Sequence, residues 1–148
     1  MKQEDKELLL QDLCGRLPYQ VRIFEIEPIN NIQSHLTLYS ISNKESVMCI
    51  TPSGGIIGSS VDAFKPYLFP LSSMTEEQYE SLRESGILDN CSHSYEYVNP
   101  NIHGVSFIFK EFKTYSLELI KWLNKHHFDY RGLIPMGLAN DATDLNIY

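Results

Sequence analysis

A chain of 148 residues, 43% hydrophobic and 21% charged, has the make-up of an ordinary globular protein. It can bury roughly two thirds of its unfolded surface without a disulfide or a structural metal. Its net charge of −7 repels phosphate backbones, and three widely spaced cysteines, Cys14, Cys49 and Cys91, are not a disulfide framework.

In chain order, residues 5–16 read as an amphipathic helix. Leu10, Leu13, Cys14 and Leu17 fall on one stripe, so Cys14 is expected to be a small core residue rather than a nucleophile. Gly15 and Pro18 supply the stop. Residues 20–26 alternate, with Val21 and Ile23 on one side and Arg22, Phe24 and Ile26 on the other. Residues 35–41 alternate again, with Leu36, Leu38 and Ser40 against Thr37, Tyr39 and Ile41. Residues 42–44 are a turn, 46–51 the returning strand, 52–55 a second turn, and Ile56 begins a further strand. This is an antiparallel meander with one wet face. The glycines of residues 52–60 belong to hairpin turns, because no helix start and no Gly-Lys-Ser/Thr follows them to hold a phosphate.

Residues 61–71 are apolar but carry Pro66 and Pro70. They are expected to be an extended connector and not a central strand. Thr75 and Gln78 form a capping box, with Met74 and Tyr79 at the staple positions, for a helix that runs to Ser85 and stops at Gly86. It buries Tyr79 and Leu82. The acids of residues 76–96, six against Arg83 alone, read as a solvated helix face and a loop. Residues 95–98 read as a strand, 99–101 as a turn and 105–109 as a strand. A helix over 115–126 carries Ile120 and Leu123 on one apolar line and Leu119 and Trp122 on another. Residues 133–138 should lie on the core irregularly, and the polar tail 140–148 ends in Leu145, Ile147 and Tyr148, which can dock or fray. No repeat or linker divides the chain, so a single α+β domain over 1–148 is expected. In it a small bent antiparallel sheet, of which an SH3-like sheet is one form, is packed by the N-terminal and C-terminal helices.

The densest mix of ionisable and apolar groups is residues 122–139. His126, His127 and Asp129 are candidate catalytic or metal-binding residues, since imidazole and carboxylate suit acid–base work and zinc. Adjacent histidines on a helix point about 100° apart, however, and a helix C-terminus favours histidine by its dipole. A capping His126 and a packed His127 are therefore the expectation. Cys91, His93 and His103 resemble half of a zinc site, without a fourth ligand or an orienting acid for a Cys/His nucleophile. Asp129 and Arg131 suit a turn, with Arg131 forking onto a carboxylate or carbonyls. No cofactor is called for. No charged-then-apolar leader stands in residues 1–15, and no apolar run reaches the ~20 residues of a spanning helix, so a cytoplasmic setting without membrane or nucleic acid is expected.

Three blocks occur in the order LLLQDLCGRLPY, KPYLFPLSSMTEEQ and HHFDYRGLIPMGLA. Together they resemble a group of small uncharacterised proteins recurrent in gut Bacteroides-type bacteria and their phage-like or mobile elements. The resemblance implies a cytoplasmic bacterial or phage-derived origin and carries no activity, cofactor or catalytic residue. With no catalytic motif and many aromatics, the expected role is a non-enzymatic protein-interaction or accessory module that binds a protein partner or itself. The alternative is a small metal-binding protein or hydrolase using the His/Asp or Cys/His cluster.

Overall fold

The computed structural model describes residues 1–25, 35–42, 45–101 and 104–148. The fold is α+β, and the described residues gather into two compact units, Met1–Leu68 with Arg131–Tyr148, and Phe69–Tyr130.

The first unit opens with helix α1 (Gln3–Arg16). Its buried side chains are Leu9, Asp12, Leu13 and Arg16, whereas Cys14 is exposed and Leu10 and Leu17 are only half-buried. The helix is thus rotated from its apolar stripe, and the expectation that Cys14 packs in the core is corrected. The cause is a self-neutralising pair one turn apart. Arg16 Nε and Nη2 donate to Asp12 Oδ2 and Oδ1 at 2.5 and 3.1 Å, and both side chains are 0% exposed. Arg131 Nε approaches the same carboxylate at 3.5 Å. Apolar periodicity counts no charged residue as core, so it points one position away.

Strands β1 (Arg22–Glu25), β2 (Leu36–Ile41), β3 (Ser46–Ile50) and β4 (Ile56–Ser60) form the expected antiparallel meander, in the order β4-β3-β2-β1. Val21, Ile23, Leu36, Leu38, Val47 and Cys49 fill the core against Leu9 and Leu13 of α1. The alternation of β2 holds through Leu38, and a register shift between Leu38 and Ser40 breaks it. The turn expected at 42–44 lies largely outside the described residues. In the β3–β4 turn, Thr51 N–H donates to the Gly55 carbonyl at 2.8 Å. Gly54 holds φ +85°, a conformation side chains resist.

Strand β5 (Phe64–Pro70) corrects the connector expected at 61–71. It pairs antiparallel with β1, Pro66 opposite Ile23, and parallel with β9 (Asn140–Asp141) through Tyr67 and Leu68. Proline is excluded from a strand only where its missing N–H is required. The pairing with β9 starts one residue after Pro66, and Pro70 is the last residue of the strand. The sheet is therefore mixed rather than wholly antiparallel. Residues 133–138 form turns against the core, with Leu133 at 0% exposure and Gly137 at φ +72°. The tail docks. The Tyr148 hydroxyl donates to the Tyr67 carbonyl at 2.7 Å and accepts Arg22 N–H at 3.0 Å, and burial pushes it well above the ordinary phenol range.

The second unit begins with the last residues of β5, whose Phe69 and Pro70 pair in parallel with β8 (Phe128–Asp129). Helix α2 (Glu76–Glu84) starts at the expected N-cap, Thr75, and ends one residue before the expected Ser85, which is its C-cap. Gln78 N–H donates to Thr75 Oγ1 at 3.2 Å, Thr75 N–H donates to Gln78 Oε1 at 2.9 Å, and Met74 and Tyr79 are buried. Replacing Thr75 by alanine should cost about 1 kcal/mol, read as a lower urea midpoint; an unchanged midpoint would count against the cap.

The hairpin of β6 (His93–Asn101) and β7 (Gly104–Phe112) corrects another expectation. Residues 99–101 are strand rather than turn, Asn101 pairs with Gly104, and a register shift between Val98 and Asn101 takes up Pro100. Helix α3 (Leu117–Lys125) is capped by Ser116 Oγ, which accepts Leu119 N–H at 3.1 Å. It buries Leu119, Leu123 and Asn124 against Phe109, Phe112 and Phe128, while Ile120 and Trp122 are half-buried.

Candidate functional site

Both candidate histidines at the end of α3 have structural tasks. His126 Nδ1–H donates at 2.9 Å to the Trp122 carbonyl, which also accepts the His126 backbone N–H at 3.0 Å, and its ring stacks on Trp122 at 4.0 Å. His127 takes φ +59°, the left-handed position that ends many helices. Its N–H donates to the Asn124 carbonyl, and its own carbonyl accepts Phe69 N–H at 2.9 Å. Its side chain is buried. Asp129 is buried beside Tyr115, whose hydroxyl is pushed above the ordinary range chiefly by burial and then by Glu111, Tyr130 and Asp129. Arg131 belongs to the first unit, where its carboxylate partner is Asp12.

Of the second constellation, His103 lies outside the described residues. Cys91 is buried, and its Sγ donates to the Ile87 carbonyl at 3.5 Å. His93 uses both ring nitrogens. Nδ1 must carry a proton to meet the Cys91 carbonyl at 2.9 Å, so in the neutral ring Nε2 accepts the Tyr79 hydroxyl at 3.0 Å. Among the described residues, no three of His, Cys, Asp and Glu converge to hold one metal ion.

What the second unit does bring together is aromatic. His93, Tyr95 and Tyr97 alternate along β6 and stand opposite Phe112, Phe109 and Phe107 of β7, so one face of the hairpin is aromatic on both strands. Tyr79 from α2 packs into it, its ring 4.9 Å from Tyr95, 5.3 Å from Phe107 and 5.6 Å from His93. On the β7 side the ladder is covered, with Phe112 4% and Phe109 0% exposed. On β6 it opens, with Tyr95, across from Phe109, 44% and Tyr97 50% exposed. Those two rings meet edge to face, 5.8 Å apart at 88°. The Tyr97 hydroxyl donates to Glu76 Oε1 at 2.7 Å, tying the open side of the ladder to the first turn of α2. On that helix Glu80 pairs with Arg83, and within the hairpin Glu96 pairs with Lys110.

That hydrogen bond, then desolvation and the charges of Glu76, Tyr95 and Glu80, pushes the Tyr97 hydroxyl up to about 12. A folded-state value above the ordinary 10.0 stabilises the fold fully below pH 10. The contribution is lost as pH rises through about 12. Glu76→Ala should bring one tyrosine ionisation back toward the ordinary range in an alkaline absorbance titration; superimposable curves would contradict the bond.

This face was absent from the sequence reading, although its signal was there. Aromatics at 93, 95 and 97 and at 107 and 109 carry the two-residue period of a strand pair. The first unit offers a different feature, a groove of about 600 Å³ lined by Gln3, Glu7, Leu10, Gln11, Cys14 and Arg131. No protein-family model, curated protein or solved structure matches the chain.

Proposed function

We propose that the chain is a non-enzymatic protein-interaction module that meets a protein partner through the exposed Tyr95 and Tyr97 of the aromatic ladder. The observation that carries this reading is the exposure of two tyrosines, 44% and 50%, on a ladder otherwise built into a core. Tyrosine supplies large contact area with few rotatable bonds and is enriched at interfaces. Here the rings are already held by cross-strand partners, Tyr79 and Glu76, so little ordering is left for binding to impose. Among the described residues, His126, His127 and His93 are engaged in packing and hydrogen bonding, whereas Tyr95 and Tyr97 keep much of their ring surface open. Among the described residues no helix is long and apolar enough to cross a membrane, and the three cysteines are free thiols, which suits a reducing compartment. An accessory role in a bacterial or phage-like mobile element is the part of the proposal that rests on the resemblance of the three sequence blocks.

The test compares affinity-tagged wild type with the Tyr95→Ala/Tyr97→Ala double variant, by co-purification from host cells and by light scattering of the pure proteins. A protein, or a second copy of the chain, should associate with wild type and be lost at least about tenfold from the variant. Equal association of both, or a wild-type monomer that retains nothing, would overturn the proposal.

A further inference from the structure

We infer that the partner is basic: the corner formed by Tyr95, Tyr97, Glu76 and Glu80 receives a lysine or arginine side chain from a peptide segment of a second protein. This rests on the reading of that face as an interface and adds what it would recognise. The exposed face of an aromatic ring carries the negative end of its quadrupole and attracts a cation within about 6 Å of its centre. Tyr95 and Tyr97 present two such rings at right angles, so a single cationic group can meet one ring face while its stem lies along the other.

The carboxylates stand where the cation would need them. Glu76 reaches the Tyr97 hydroxyl with Oε1, and a carboxylate has about four acceptor positions, of which Tyr97 takes one. Glu80 already holds a guanidinium, that of Arg83 on its own helix, so an incoming cation would compete with Arg83 for this carboxylate. Over residues 76–96 the balance is six acids to one arginine, and the chain carries −7. Like charge therefore disfavours a second copy, a nucleic acid or an anionic lipid surface on the same face. Lys110 is spent on Glu96 and does not supply the missing cation.

The probe is a fluorescein-labelled octapeptide of alternating lysine and glycine, with a second in which glutamate replaces lysine. Fluorescence polarisation should show wild type binding the first and not the second, with affinity falling as salt rises from about 50 to about 500 mM. Tyr95→Ala and Tyr97→Ala should each weaken binding about threefold and the pair about tenfold. Tyr97→Phe, which keeps the ring, should stay within about twofold of wild type, and Glu76→Ala should weaken binding. Arg83→Gln should strengthen it by removing the internal competitor. Circular dichroism of each variant checks that it folds.

Equal binding of both peptides, or lysine-peptide binding untouched by the tyrosine pair, would overturn the inference. So would failure to bind the lysine peptide when the co-purifying protein is still lost from the tyrosine double variant, a result that leaves the interface standing. A partner kept by the double variant removes both.

Discussion

Asp12→Ala is expected to destabilise the first unit by about 3–5 kcal/mol, the cost of breaking a buried ion pair by removing one partner. Arg16 and Asp12 are each 0% exposed and joined by two hydrogen bonds, so without the carboxylate the buried guanidinium loses both of those bonds and the negative charge paired with it. Arg131 loses its contact with Asp12 Oδ1. Against a total stability of about 5–15 kcal/mol this is a large fraction, and a far-UV thermal melt should fall by roughly 10 °C or more. The control is the double change Asp12→Leu with Arg16→Met. It removes both charges at similar volume, and buried pairs replaced in this way are often neutral or stabilised by about 1–4 kcal/mol. The double variant should therefore melt above Asp12→Ala. A single variant that loses less than about 1 kcal/mol, or a double variant less stable than the single, would show that the pair does not hold the helix to its core.

The same pair shows where reading the sequence stops. Helix α2 was legible to within one residue at its ends because its determinants are local: Thr75 and Gln78 exchange hydrogen bonds across one turn, Met74 and Tyr79 staple it, and Gly86 supplies φ +74°. The meander was legible because Val21, Ile23, Leu36 and Leu38 obey a two-residue period. The buried face of α1 was not, because a charged pair that neutralises itself looks polar to any count of apolar residues. Strand β5 was hidden by a general exclusion of proline that the two-residue partner β9 does not enforce. The expected turn at 99–101 was hidden by a bulge that lets Pro100 stay in β6. For the candidate site, composition drew attention to His126, His127 and Asp129. Their separate tasks depend on backbone geometry, above all the left-handed His127, which no spacing rule conveys for a non-glycine residue. The aromatic ladder was visible strand by strand and became a face only once the register paired Tyr95 with Phe109 and Tyr97 with Phe107.

Phe109→Ala should be the most damaging change in the second unit, at about 3–5 kcal/mol. Phe109 is 0% exposed, its ring lies 4.5 Å from that of Phe112 and 6.2 Å from that of Tyr79, and it stands across the hairpin from Tyr95. Removing it opens a cavity under the hub of the ladder, where stiff ring neighbours cannot collapse as an aliphatic core can. Urea unfolding should show the loss, and near-UV circular dichroism, to which the packed rings contribute, should weaken even below the midpoint. Phe109→Leu, which keeps most of the volume, should lose a fraction of that stability. The two variants also separate support from contact. Phe109 is covered and Tyr95 is not, so Phe109→Leu can reach a partner only by loosening the ring that the partner touches. A fall in partner capture with Phe109→Leu, at unchanged exposed residues, would mean that the ladder's rigidity and not only its surface chemistry serves binding. Capture unchanged alongside a weakened near-UV signal would assign recognition to Tyr95, Tyr97 and their carboxylates alone.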